Sequence, residues 1–445
     1  MEEKFADYGE VQIKQLNDRS KMYYTPNKEN NVFQLVVQYG AGEREFPKLG
    51  YAAQLMNNAG IMVAYEPQEL KEELSKLNAT CHVTADDDNL YIIMEGYEAT
   101  LPQACQLLSR QILMPKLDEK QLARLKGSAM GMRQQRKDNV SILNEALRQY
   151  MLYGEKSDYI KELTDKEIYE LQISELTGDI NRASNYEAKV FFTGTLPFDQ
   201  VYDILSKNLP LVANERPSNS PQAKDMMPVT ENTVYFLPNN DAEQAQIHLY
   251  IPMQKADKKD DVLRSAFNQY FGLDFTGIVL NEIREKRSMA YTAYAFVGTQ
   301  GIAGKASYLR GYIGTQNDKA NDALDVLMGL VNDMPKNPER IDNIKSYLRQ
   351  AMLTSHPSFR NKAMELVDLG YRGYTDDPAK ENLPKVDALT FDDIVKFYEE
   401  NIKDKPYCIS IMGNPKNIDL KRLEKFGKVV KLNERKLFNT KDALF

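Results

Sequence analysis

Apolar residues recur along the chain at two different periods. Leu101, Ala104, Cys105, Leu108 and Ile112 fall on one face of a 3.6-residue repeat, as do Ala320, Ala323, Leu327, Leu330 and Val331. Each set predicts an amphipathic helix that packs one face on a sheet. The runs FQLVVQYG from Phe33 and AQIHLYIPM from Ala245 are β-rich, about one strand long, and each is followed by a helical segment. Residues 80–85 and 90–96 flank the turn Asp86-Asp87-Asp88-Asn89 and read as paired strands, and a second pair lies within 291–314. The stretches 118–170 and 338–403 are rich in Lys, Glu, Gln, Leu and Met, poor in breakers, and predict mostly helix. Together these elements predict an α+β fold of mostly antiparallel sheets covered by helices.

The pattern also repeats. MPKLDEKQLARLK begins at Met114 and MPKNPERIDNIKSYL at Met334, 220 residues later. LYIIMEGYEATLPQACQLLSRQIL from Leu90 precedes the first copy as YLRGYIGTQNDKANDALDVLMGLV from Tyr308 precedes the second, each reading strand, loop, helix. So long a period points to two homologous domains. Between them Pro217, Pro221 and Pro228 stand among Ser, Asn and Gln and interrupt both periods. The division expected is a first domain over 1–215, a linker over 216–231 and a second domain over 232–445.

Composition narrows the function classes. At 445 residues, 42% of them hydrophobic, the chain can bury a large core in more than one domain. With 57 basic and 64 acidic residues the net charge is -7, which lacks the basic excess needed to hold a nucleic-acid backbone. Cys81, Cys105 and Cys408 are too few and scattered for a disulfide framework or a Cys-type zinc site, and read as core residues. No run approaches the roughly 20 apolar residues that span a bilayer, and Met1-Glu2-Glu3-Lys4 opens no secretory pattern, so a soluble chain is expected. Its compartment stays open.

Candidate chemistry is sparse. The only histidines are His82, His248 and His356, so far apart that no HxxEH or HExxH pair exists. A helical zinc site needs two imidazoles one turn apart with a carboxylate to activate water. No metal ligand set and no catalytic residue is therefore expected in this chain. His82 and His248 lie in strand-like runs and read as structural. Ser355-His356 has no GxSxG elbow behind it, and Asp86-Asp87-Asp88 reads as a solvated turn rather than a calcium loop. In 268–294, Phe275, Val279 and Ile283 mark a buried helix face, with Arg284 and Arg287 in the last turn, where the helix dipole favours cations.

That helix end, LNEIREKRSMAY, resembles the arginine-and-tyrosine motif in the second half of zinc peptidases of the insulinase, pitrilysin and mitochondrial-processing-peptidase family: Arg284, six residues, then Tyr291. The preceding AEQAQIHLYIP and FNQYFG and the following YIGTQNDKANDAL resemble the family in the same order, so the likeness runs through the whole chain. The resemblance implies a non-catalytic half whose two α/β domains close a chamber with a zinc-bearing half, either in one polypeptide or as a separate subunit. Where the active half carries HxxEH, this chain has LGYAAQLMNNAG from Leu49. By the resemblance, zinc belongs to the partner half, peptides are the substrates, and Arg284 and Tyr291 bind substrate and stabilise the transition state. It also raises the expectation that YLRGYIG at Tyr308 offers a sheet edge to an extended peptide. The alternative reading is a scaffold or binding subunit that has lost the peptidase chemistry.

Overall fold

A computed structural model of the chain describes residues 4–212, 215–272 and 276–441; Met1 to Glu3, Asn214 and Phe275, used in the sequence reading, lie outside these. Among the described residues fourteen strands form. The first sheet takes β1 (Gln12–Gln15), β2 (Lys21–Pro26), β3 (Val32–Tyr39), β5 (Thr80–Ala85), β6 (Leu90–Tyr97) and β8 (Ala188–Gly194), in the order β1-β2-β8-β3-β6-β5. A short pair, β4 (Gly60–Ile61) and β7 (Pro115–Lys116), stands apart. The second sheet takes β9 (Thr233–Pro238), β10 (Gln244–Lys255), β11 (Thr292–Thr299), β12 (Ala306–Gln316), β13 (Cys408–Gly413) and β14 (Lys428–Lys431), in the order β11-β12-β10-β13-β9-β14. Read from β14, the second order repeats the first, with β9, β13, β10, β12 and β11 in the places of β2, β8, β3, β6 and β5. The match fails at one edge, where β1 pairs antiparallel with β2 but β14 pairs parallel with β9. Both sheets are mixed, since β2–β8 and β13–β9 are also parallel.

One face of each sheet carries its own helices. Leu101–Leu113 and Ala320–Asn332 occupy matching places, and every apolar position that the 3.6 period marked on them is buried. Burying these faces is the main stabilising term of each core.

The opposite faces are covered by exchange. The helix Val140–Tyr153, from the first half, lies against the second sheet: Leu143, Ala146 and Leu147 pack with Leu237 of β9 and Met412 of β13, while Met151 and Leu152 meet Tyr250 of β10 and Cys408 of β13. In return Lys362–Tyr371, from the second half, sets Ala363, Met364 and Val367 on Val36 of β3 and Phe191 of β8. Central strands are therefore buried on both faces and read as unbroken buried runs, VFF in β8 and CISIM in β13, the latter with Ser410 as its one polar member. Towards β5–β6 and β11–β12 the cover thins: Tyr91 and Ile93 of β6 and Tyr308 of β12 meet the exchanged helices but stay only partly buried, and burial alternates along β6 and most of β11.

The proline-bearing segment after residue 215 is strapped across the join. Lys224 pairs with Asp158 at 2.6 Å and with Asp87 at 3.1 Å, and the Met227 amide donates to the Leu152 carbonyl at 2.7 Å. The acidic turn that looked merely solvated takes part: Arg44 bonds Asp88 at 2.8 Å and Asp87 at 3.2 Å, and Asp88 accepts from the Gln222 amide.

Candidate functional site

The segment carrying Arg284 and Tyr291 is not one helix. Asp261–Phe271 ends first; the chain resumes as a short α-turn, Ile278–Leu280, and passes into a π-turn, Asn281–Glu285, closed by the Lys286 amide donating to the Asn281 carbonyl at 2.9 Å. Val279 and Ile283 are fully buried, as their spacing predicts. Ser288, at φ 51, turns the chain out of the helix in the left-handed region, and its amide reaches back to the Arg284 carbonyl. Arg287 donates to the Glu282 carbonyl at 2.8 Å, the capping use that the helix dipole favours.

Because Ile283, Met289 and Ala290 are drawn to the core, Arg284 and Tyr291 are turned outward into one depression of about 430 Å³, shared with Glu285, Ser288, Gln316 and Lys319. The Arg284 side chain is 44% exposed; its nearest ion-pair atom is Glu285 Oε1, a loose 3.6 Å from Nε, and the guanidinium makes no hydrogen bond to a described residue. Tyr291 is 54% exposed. Its hydroxyl accepts from Gln316 Nε2 at 3.2 Å, which leaves the phenol proton free to donate. The Tyr291 amide donates to the Gly314 carbonyl, fixing the tyrosine at the entrance to β11. The depression thus presents a guanidinium and a phenol, two donors for a carbonyl or an oxyanion.

The sheet-edge expectation needs correction. YLRGYIG lies in β12, which is hydrogen-bonded on one side to β10 and on the other to β11, so it has no free edge. The edge strand is β11, and it is closed: the Asn268 side chain accepts from the Val297 amide at 2.7 Å and donates to its carbonyl at 3.0 Å, while the Ala295 amide donates to the Gly272 carbonyl. The first sheet repeats the device at β5, where Asn57 accepts from the Val83 amide at 2.8 Å and donates to its carbonyl at 2.9 Å. Each amide side chain stands in for one residue of a neighbouring strand.

The histidines do not converge. His82 is exposed on β5 and His356 is exposed beyond the helix Ile341–Thr354. His248 is buried on β10 beneath the exchanged helix, with Nε2 at 3.0 Å from Asn144 Oδ1. Burial, then the charges of Arg310 and Arg148, push its pKa down to about 3. The helix Leu49–Met56 carries no His, Cys, Asp or Glu. Among the described residues no three His, Cys, Asp or Glu side chains stand together as a metal site. Burial pushes the Cys81 and Cys105 thiols up to about 12, far from reactive thiolates. No helix among the described residues is long and apolar enough to cross a membrane.

Known proteins match part of the sequence and nearly all of the fold. Residues 184–348, which include Arg284 and Tyr291, match the family model described as peptidase M16 inactive domain. The fold of nearly the whole chain recurs in a peptidase M16 inactive domain from Pseudomonas fluorescens, with TM-score 0.71 and 17% identity over 92% of this chain and 99% of that one. A conserved protein from Enterococcus faecalis gives TM-score 0.70 and 15% identity, covering 92% and 100%. The ferredoxin protease FusC, in complex with Arabidopsis ferredoxin, gives TM-score 0.72 and 13% identity over 91% of this chain but only 45% of that one, so the chain spans about half of that protease. No curated protein matches the sequence. The matched segment and the shared fold agree with the resemblance of LNEIREKRSMAY: residues 184–348 are similar to the peptidase M16 inactive domain, and nearly the whole chain has the fold of one.

Proposed function

We propose that this chain is the non-catalytic half of a zinc metallopeptidase and completes the substrate chamber for a zinc-bearing half. The observation that carries the reading is the depression at the start of β11, where Arg284 and Tyr291 stand together with their donors free. Hydrolysis of a peptide bond builds negative charge on the former carbonyl oxygen, and fixed donors aimed at that oxygen lower the barrier. Arg284 and Tyr291 supply such donors from across the chamber, while water activation belongs to the zinc-bearing half.

The test uses the assembled enzyme, with the zinc-bearing half copurified on the tagged chain. Arg284→Ala and Tyr291→Phe should each lower turnover about 10²- to 10³-fold and leave zinc content and assembly unchanged. Wild-type turnover in both variants would favour a scaffold without peptidase chemistry. Near-stoichiometric zinc in the isolated chain would count against an inactive half altogether.

A further inference from the structure

The exchanged helix Val140–Tyr153 covers β9, β10 and β13 and stops short of β11. Tyr294 and Phe296 of β11, with Tyr308, Arg310 and Tyr312 of β12, are therefore half-buried on the sheet face turned away from the helical layer. The register places Tyr294 opposite Tyr312 and Phe296 opposite Arg310; on the other side of β12, Arg310 faces Tyr250 and Tyr312 faces His248. Ring centroids are 5.2 Å apart for Tyr294 and Tyr312 and 6.1 Å for Tyr294 and Phe296. These three rings join none of the apolar clusters among the described residues.

Arg310 stands in the middle of this aromatic surface without a counter-ion. It makes no hydrogen bond or ion pair with a described residue, and its Nε is shut from solvent with no partner. The acid nearest in influence, Glu145, is already held by Arg148, with Nε 2.7 Å from Oε2 and a second, shorter contact. A guanidinium presents a planar fork that fits a carboxylate, and the rings beside it offer flat apolar contact.

We propose that the β11–β12 face binds an extended peptide segment by docking an Asp or Glu side chain on Arg310, with neighbouring apolar or aromatic side chains on Tyr294 and Phe296. This rests on the reading of the chain as a substrate-facing half and gives that face a substrate preference. Tyr291 lies level with Thr315 in the β11–β12 register, five residues along β12 from Arg310. That separation is about 17 Å, so about five or six extended residues reach from the Arg284–Tyr291 depression to Arg310.

The experiment measures binding to the full chain by fluorescence anisotropy. The probes are two labelled, C-terminally amidated peptides of about eight residues, rich in Tyr and Ala and differing only by Glu or Gln at one central position. Amidation removes the terminal carboxylate as a competing source of charge. The Glu peptide should bind about 10-fold more tightly than the Gln peptide. Arg310→Gln should bring the two within about twofold, and Arg310→Lys should keep part of the preference. Circular dichroism melts check that both variants fold. No preference in the wild type, no binding of either peptide at about 1 mM, or a preference that survives Arg310→Gln would each overturn the proposal. A Glu preference that depends on Arg310, with assembled-enzyme turnover unaffected by Arg284→Ala and Tyr291→Phe, keeps the docking site and removes the catalytic reading; the opposite pair of results removes the docking site alone.

Discussion

His248 shows what burial does to a residue whose sequence context suits either a ligand or a core position. Asn144 Oδ1 can only accept, so Nε2 carries the imidazole proton, and Nδ1 is left buried without a partner. Protonating it would place a cation in the core beside Arg310 and Arg148, which is why its pKa lies near 3 against an ordinary 6.5. A base with a depressed native pKa leaves stability unaffected above its unfolded value. As pH falls from 6.5 towards 3, the unfolded chain takes up a proton that the native state refuses, and stability drops by about 1.4 kcal/mol per pH unit for this group. His248→Gln keeps an amide donor and removes the titration. Urea unfolding of both proteins from pH 8 to pH 4 should therefore show the wild type losing ground to the variant below about pH 6.5; parallel profiles would sink the argument. The sequence placed His248 in a strand and read it as structural. What covers it comes from a helix 104 residues earlier, which no local pattern reveals.

Two kinds of element-scale device hold this fold. The first is the exchanged helix: Leu147 is fully buried between the halves, so Leu147→Ala should cost about 2–5 kcal/mol. Since each sheet owes one face to the other half, the loss should appear as a lower midpoint of a single urea transition followed by circular dichroism. Two separate transitions, or a loss below about 1 kcal/mol, would argue against a shared core. The second device is the asparagine that closes each sheet edge. Asn268→Ala leaves the amide and carbonyl of buried Val297 without partners, a penalty of about 1–3 kcal/mol. It also opens β11 to strand addition, so sedimentation velocity should show self-association rising with concentration; a strictly monomeric variant of unchanged stability would refute the edge-closing role. These elements were partly legible. The helices 101–112 and 320–331 and the strand pairs were written in their periods, because burial on one face leaves a local trace. The π-turn that ends at Glu285 was not, because a π-turn and an α-turn draw on the same residue types.

At the scale of the whole molecule, the 220-residue repetition, the α+β composition and the want of a paired-histidine motif could be read directly, since each depends on residue order or residue count. The Arg284 and Tyr291 spacing could also be read, and the core packing of Ile283 and Met289 explains why both side chains emerge on one side. Strand order could not. The hairpin of β11 with β12 is local, but whether YLRGYIG is an edge or an interior strand depends on β10 pairing on its other side, and β10 lies tens of residues away. The same holds for the acid-paired linker, the mutual covering of the sheets and the isolation of Arg310 on an aromatic face, all of which arise from contacts between distant segments. Periodicity records that a face is buried; only tertiary packing says what buries it, where the cover stops, and which charge is left without a partner.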